Sequence, residues 1–407
     1  MKNYSSALAL AAALALPMTA AQAAVEFGGD YEVNAYNLDL GDIAGPGRDD
    51  TSALQHRLRL QAHFQNEDGV QVNARVSLLD STWHGHEGAP VNDFHNVFNE
   101  QAGSDVTLDY GYVQIPTQFG VLRVGRQETS WAHGLLVEEA RRDRVLFITK
   151  AGGATVMAFA DKVDEGELDV DDDLYTVNLG ATGSYNNWLW GLLGVYYMAE
   201  DEATGTAPAR DDFFIFSPFI QGEVGGVNLK AAANISTGFE REESTGGILD
   251  DETGIAAMLR AGVPVGPVEI EGQILYAQDG GIVDRGFDTF SSFVNNNPVS
   301  DANPLSVLNV GGPTSGDHLV AALRLSGNIT EFVKVSLTGG IVDLDDGDMA
   351  ALGVPGYYDD SAEFYELNAY YQATPSTTIW ATVGQFAAED ILGDDIVGYS
   401  LNLRTDF

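Results

Sequence analysis

The sequence predicts an all-β chain closed into a transmembrane antiparallel β-barrel of about 18 strands, 16 being the nearest alternative. Three observations lead there. Long segments alternate apolar and polar residues with a period of two. Short turns alternate with long acidic connections. An export-type leader is followed by no apolar run long enough to cross a bilayer as a helix.

The leader comes first. Lys2 precedes an apolar run over 7–16, then Pro17 and the small-residue site Ala21-Gln22-Ala23, which reads as a signal peptide over 1–23, cut before Ala24. The run is shorter than the ~20 residues a spanning helix needs. This leaves 24–407 as a single barrel domain. Its longest uncharged stretch, 174–199, is interrupted by Asn178, Thr182, Ser184, Asn186 and Asn187, so it is not a membrane helix either.

The first strand is read over 27–37. In 54–64, Leu54, His56, Leu58, Leu60, Ala62 and Phe64 alternate with Gln55, Arg57, Arg59, Gln61 and His63; a turn at 66–69 then opens the alternating 70–78. Two ten-residue strands about a tight turn make a hairpin. The pattern weakens over 106–115, 121–127, 144–150, 155–163, 175–181, 188–198 and 213–223. It is clear over 227–236, 255–263, 268–276, 319–326, 333–338 and 365–371, and weaker at 377–386. The last strand is the plainest: Val397, Tyr399, Leu401, Leu403, Thr405 and Phe407 against Gly398, Ser400, Asn402, Arg404 and Asp406. Strands of soluble sandwiches average five or six residues. These are longer and suit one face on lipid and one on water. Short turns lie at 116–120, 186–187, 225–226, 266–267, 328–331 and 374–376, and the longest connection is 279–317. That asymmetry puts short turns in the periplasm and long loops outside the cell, with both termini on the short-turn side. Tyr31, Tyr110, Tyr112, Trp188, Trp190, Tyr196, Tyr371 and Tyr399 lie where interfacial girdles are expected.

The chain carries 60 Asp and Glu against 20 Lys and Arg, a formal charge of −40, which excludes nucleic acid as a partner. With 44% hydrophobic and 10% aromatic residues it is too apolar for a disordered acidic chain. The absence of cysteine removes disulfides and thiolate chemistry. Most of the acidic residues fall in the long loops, as in 164–173 and 343–348. Carboxylates at that density could hold Ca or Mg, but their spacing does not follow the helix-loop-helix calcium pattern, and solvated acidic loops are the plainer expectation, with no cofactor. His84, His86 and His95 with Asp80 and Glu87 offer zinc-type donors in one loop, again against the plainer expectation of a solvated loop. No nucleophile, base and orienting group fall together, so no enzyme is expected. On the strands the basic residues Arg57, Arg59, Arg75, Arg123, Lys230, Arg260, Arg324, Lys334 and Arg404 all take the polar register.

The leader, the amphipathic strands, the short and long connections and the terminal Phe407 resemble a Gram-negative outer-membrane porin. Gly120-Val-Leu-Arg-Val-Gly-Arg-Gln127 is similar to the strand before the constriction loop of trimeric general porins and alginate-export-like channels. The resemblance covers the whole mature chain. It implies the bacterial outer membrane, contact with its lipid and lipopolysaccharide, a homotrimer, and passive diffusion of small hydrophilic solutes and ions through a water-filled pore. Two alternatives stay open: a solute-specific channel for anions such as carboxylated sugars, phosphate or sulfate, and a structural or adhesive barrel plugged by its own loops. Folded inward as such constriction loops are, 128–143 is expected to set Arg141 and Arg142 against Glu138, Glu139 and Asp143 across a waist, with Arg57, Arg59, Arg75, Arg123, Arg126 and Arg144 lining the pore. The plainer alternative is that these arginines neutralise carboxylates within the wall. Arg126 shares the register of Leu122 and Val124, so it needs a bulge to turn inward.

Overall fold

A computed structural model describes residues 24–39, 50–82, 106–164, 174–199, 212–237, 253–279, 281–284, 286–295, 305, 308, 317–344, 360–387 and 394–407. The leader 1–23, the acidic stretches 165–173 and 345–350, and His84, His86, Glu87 and His95 lie outside the described residues. Eighteen strands follow in order: β1 Ala24–Asp39, β2 Asp50–Gln65, β3 Gln71–Thr82, β4 Thr107–Thr117, β5 Gly120–Trp131, β6 Val137–Ala151, β7 Ala154–Asp164, β8 Leu174–Tyr185 and β9 Trp188–Ala199. The second half comprises β10 Phe213–Val224, β11 Val227–Thr237, β12 Gly254–Val265, β13 Val268–Gln278, β14 His318–Asn328, β15 Val333–Leu344, β16 Asp360–Thr374, β17 Thr377–Ala387 and β18 Ile396–Asp406. Every strand pairs antiparallel with its chain neighbours, and β1 pairs with β18, so the sheet closes with no free edge. Closure is what lets a sheet sit in lipid, where an unpaired backbone edge finds no water.

The two faces invert the pattern of a soluble protein. Val177, Leu179, Leu259, Leu323, Leu337 and Leu401 are exposed on the outer register, while Asn178, Ser217, Asn234, Gln273, Thr338, Asn368 and Asn402 are buried on the inner one. Tyr110 and Tyr112, expected in a girdle, instead face inward beneath the guanidinium groups of Arg75 and Arg123. The short turns are tight. Between β8 and β9, Asn186 and Asn187 both take positive φ (48° and 68°), the backbone that matches the right-handed twist of a hairpin and that Asn tolerates better than most side chains.

At the long-loop end two segments turn into the barrel. The first is the tip of the β5–β6 hairpin. The predicted loop 128–143 is mostly strand, with Gln127 opposite Arg142 and Glu128 opposite Arg141; the irregular part is 132–136, a single 3-10 turn over Ala132–Gly134 and Leu135-Leu136. The second lies in the β13–β14 connection. Phe287, Phe290, Phe293, Val294 and Leu305 are buried against Leu275, Val320, Val342, Phe364, Phe386 and Ile396 of the wall. The expectation that 279–317 stands wholly outside is therefore corrected for 281–295. Its three phenylalanines have an apolar inner wall to cover, and burying each is worth roughly 1.5–3 kcal/mol.

Candidate functional site

Charged side chains of β1 to β6 assemble a network of alternating sign. Arg57 donates to Glu32 at 2.8 Å and Arg59 to Asp30 at 3.0 Å, all four side chains almost fully buried. Between β3 and β4 the register shifts: Arg75 faces Tyr110 and Val76 faces Leu108, leaving Asp109 as the extra residue of a bulge. Its carboxylate becomes the hub of the network. It accepts from Arg75 and, at 2.6 Å, from Arg141, with Arg59 at 4.0 Å. Glu128 closes the circuit at 3.2 Å from Arg75 and 3.3 Å from Arg141. Such mutually paired charges hold one geometry, since loss of any partner leaves a charge in a poorly hydrated site.

The expected opposition across 128–143 does not form. Arg141 belongs to Asp109 and Glu128, because the β5–β6 ladder places it opposite Glu128 and beside the bulge. Arg142 donates to the Val163 carbonyl at 3.5 Å. Glu138 lies beside Gly134 and Gly286, in the contact between the two inward segments, and Glu139, at φ 47°, bends the strand with its N–H on Ser130 Oγ. Arg144 grips Asp161 through two hydrogen bonds, at 2.6 and 2.7 Å, and covers the Phe159 ring. Arg123 donates to Gln114 at 2.6 Å. Arg126 is a correction. No register shift separates it from Val124 or from Asp143, so it stays on the outer face, 3.6 Å from Asp143. Among the described residues, Arg123, Arg142 and Lys230 have no carboxylate within 4 Å.

The inward segments carry groups that alternation alone does not single out. Asn234 of β11, fully buried, donates to the carbonyls of Leu135 (3.2 Å) and Ile282 (2.7 Å) and accepts from Ser217, so one amide pins both segments to the wall. Trp131 Nε1 donates to the Ser217 carbonyl at 3.0 Å. Phe290 sits between two guanidinium groups, with Arg260 at 4.4 Å and Arg324 at 3.9 Å from the ring centre. Asp288 pairs with the same arginines at 3.3 and 3.8 Å, and Arg324 also holds Glu271 at 2.7 Å. Ser292 N–H donates to the buried carboxylate of Glu366 at 2.7 Å. His133 packs edge-on against Phe219, and burial, with Lys230 and Arg260 nearby, lowers its pKa to about 4. The only sequence signal for Asn234 or Glu366 is a polar residue in the inner register. Phe290 has none, because its partners come from β12 and β14.

No protein-family model matches the chain, and no curated protein matches it. Solved structures do. OccAB1 of Acinetobacter baumannii is similar at 12% identity over 94% of this chain and 96% of that one, with a TM-score of 0.61. OccK9 (OpdG) of Pseudomonas aeruginosa matches at 12% over 94% and 98%, TM-score 0.60. OccK2 (OpdF) of the same organism, in complex with glucuronate, matches at 12% over 94% and 96%, TM-score 0.59. The fold of this chain is that of the Gram-negative outer-membrane porins.

Proposed function

We propose that this chain is an outer-membrane channel through which small hydrophilic solutes and ions diffuse passively. The observation that carries the reading is a closed barrel with a polar inner register, narrowed at one end by two inward segments pinned by the Asn234 amide, the second also by the ion pairs of Asp288. The pore wall is formed by Arg57, Arg59, Arg75, Arg123, Arg142 and Arg144 with Asp109; Arg126 is not part of it, and Glu128 and Arg141, on the same face of the β5–β6 ladder as Arg126, reach it through Arg75 and Asp109. In this reading a solute crossing the narrow section passes cations of β2, β3, β5 and β6 and the carboxylates Glu138, Asp284 and Asp288 of the inward segments, and fixed charges of both signs orient dipolar solutes and slow apolar ones.

A second reading has specific support. Among the described residues, inner cations without a carboxylate partner, Arg123, Arg142 and Lys230 among them, are free to meet an anionic solute, and a similar barrel was solved with glucuronate. Selectivity for anions such as carboxylated sugars is the refinement we favour. Lipopolysaccharide around the barrel and a homotrimeric assembly belong to the same proposal, as do Ca or Mg at the acidic loops. We assign the chain no catalytic role and no cofactor.

The test is conductance in a planar bilayer. Stepwise open channels, with a reversal potential that reports ion preference and partial block by glucuronate, are expected. Insertion without conductance would overturn the channel in favour of a plugged, structural barrel. Conductance untouched by glucuronate, with no preference for anions, would remove the anion-specific refinement alone.

A further inference from the structure

Between β4 and β5 the barrel wall is paired for only part of its height. The ladder runs from Thr117 opposite Gly120 to Gly111 opposite Arg126 and stops there. Above that rung β4 continues on β3 alone, to Thr107 opposite Ser77, and β5 continues on β6 alone, to Trp131 opposite Val137. Among the described residues, 107–110 and 127–131 therefore run on as two strand edges with no rung between them. Lipid offers such an edge no partner, so a seam at membrane depth has to be filled by polar side chains. At ~3.4 Å per residue, Asp109 and Glu128 stand about 27 Å up their strands from Thr117 and Gly120. A strand tilt of roughly 35–45° reduces that height to about 19–22 Å, inside an apolar band ~25 Å tall.

The charges that fill the seam pass through the wall. Arg59 and Arg75 belong to the inner register, and Arg75 lies over the inward ring of Tyr110. Glu128 and Arg141 share the register of Val124 and Val145, which is the outer one. Yet the Asp109 carboxylate accepts from Arg75 on the inside and, at 2.6 Å, from Arg141 on the outside, while Arg75 reaches Glu128 at 3.2 Å. An inner guanidinium meets an outer carboxylate only where no ladder stands between the two faces. Side-chain exposure rises along the same line, from 3% at Arg59 through 14% at Asp109 and 15% at Arg141 to 41% at Glu128. The outer lip is apolar: Leu108, 51% exposed, lies against Gly111, and Val124 is 42% exposed. The seam thus connects two guanidinium groups that already take carboxylates with an apolar surface open to lipid. Ionisable groups at that depth are costly unless they serve a passage.

We propose that the β4–β5 seam is a side port through which an amphipathic carboxylate, an anionic head on an apolar chain, leaves the lumen for the outer leaflet. Arg75 and Arg141 take the head in place of Glu128, the more exposed of their two carboxylates, and the chain emerges over Leu108 and Val124. The ion-pair circuit closes the port when no solute is in it. The proposal rests on the channel reading, which stepwise conductance of the parent tests by itself; a conducting parent that fails the test below loses the port and keeps the channel. The measurement is photolabelling of the full chain in proteoliposomes by decanoic acid with a diazirine at its chain end, mapped by mass spectrometry. Labelling at Leu108 and Val124 should exceed that at Leu259 and Leu323, outward leucines of β12 and β14, at least fivefold, whereas the matching diazirine decanol should label all four alike. Had the ladder continued, its next rung would join Tyr110 to Gln127. Because the chain has no cysteine, Tyr110→Cys with Gln127→Cys can be bridged there by a short bis-methanethiosulfonate and released by reductant. Bridging should bring Leu108 and Val124 down to the control leucines, and reductant should restore the excess. Equal labelling of the four positions by the acid would overturn the port, as would an excess that the bridge leaves unchanged. An equal excess with the alcohol would overturn it as a carboxylate route, and that comparison needs only the parent.

Discussion

Replacing Asp109 by Asn removes one negative charge from the hub while keeping its shape and one acceptor. Arg75 and Arg141 retain Glu128, at 3.2 and 3.3 Å, so the network loses strength rather than its frame. The local charge rises by one unit beside the passage proposed above. An ion passing ~6 Å away in water-like dielectric feels about 0.7 kcal/mol from one charge. Screening with a ~10 Å Debye length at 0.1 M leaves about 0.4 kcal/mol, favourable for an anion and unfavourable for a cation. The difference of about 0.8 kcal/mol is roughly a fourfold shift in the anion-to-cation permeability ratio. At 1 M, where the Debye length is ~3 Å, the shift falls below about twofold. The assay is the reversal potential under a salt gradient at both ionic strengths. Asp143→Asn serves as the control, because its charge is on the outer face and should leave selectivity unchanged. A folded Asp109→Asn channel whose ratio at 0.1 M stays within about 1.5-fold of the parent would show that ions do not pass this network, and the reasoning would fail.

The other expectations follow from single contacts. Phe290→Ala removes the ring between Arg260 and Arg324 and should cost about 3–5 kcal/mol of local stability, read as faster proteolysis within 281–295 and larger, noisier conductance. Deleting Phe407 removes the reciprocal backbone bonds with Gly29, at 2.8 and 2.9 Å, that help to join β18 to β1, and should reduce heat-resistant inserted barrel in cells; an unchanged yield would count against that role. His133 is held neutral, with its folded pKa lowered from 6.5 to about 4. Its contribution is therefore complete above about pH 6.5 and is lost as pH falls toward 4 and the imidazole gains a proton near Lys230 and Arg260. Hydrogen exchange at the β5–β6 tip should rise over that window in the parent but not in His133→Asn.

The sequence by itself determined the strands and their faces. A period of two is a local property of extended backbone, so Val397 to Phe407 could be split into outer and inner sets without knowing any neighbour. The same parity put Arg126 beside Leu122 and Val124; the inward turn expected of it needed a bulge, and the bulge formed instead at Asp109 on β4. Where a bulge falls depends on how two strands of unequal spacing meet, which neither strand encodes alone. Partner choice was equally nonlocal. Arg141 takes Asp109, 32 residues away, over the nearby Glu138, and Phe290 takes two arginines from separate strands. The direction of 281–295 was decided by shape: an acidic, polar connection reads as a surface loop, but its phenylalanines match an apolar patch that exists only once β12 to β18 have closed into a wall. Alternation is written along the chain, whereas bulges, ion-pair partners and inward loops depend on surfaces that closure of the barrel creates.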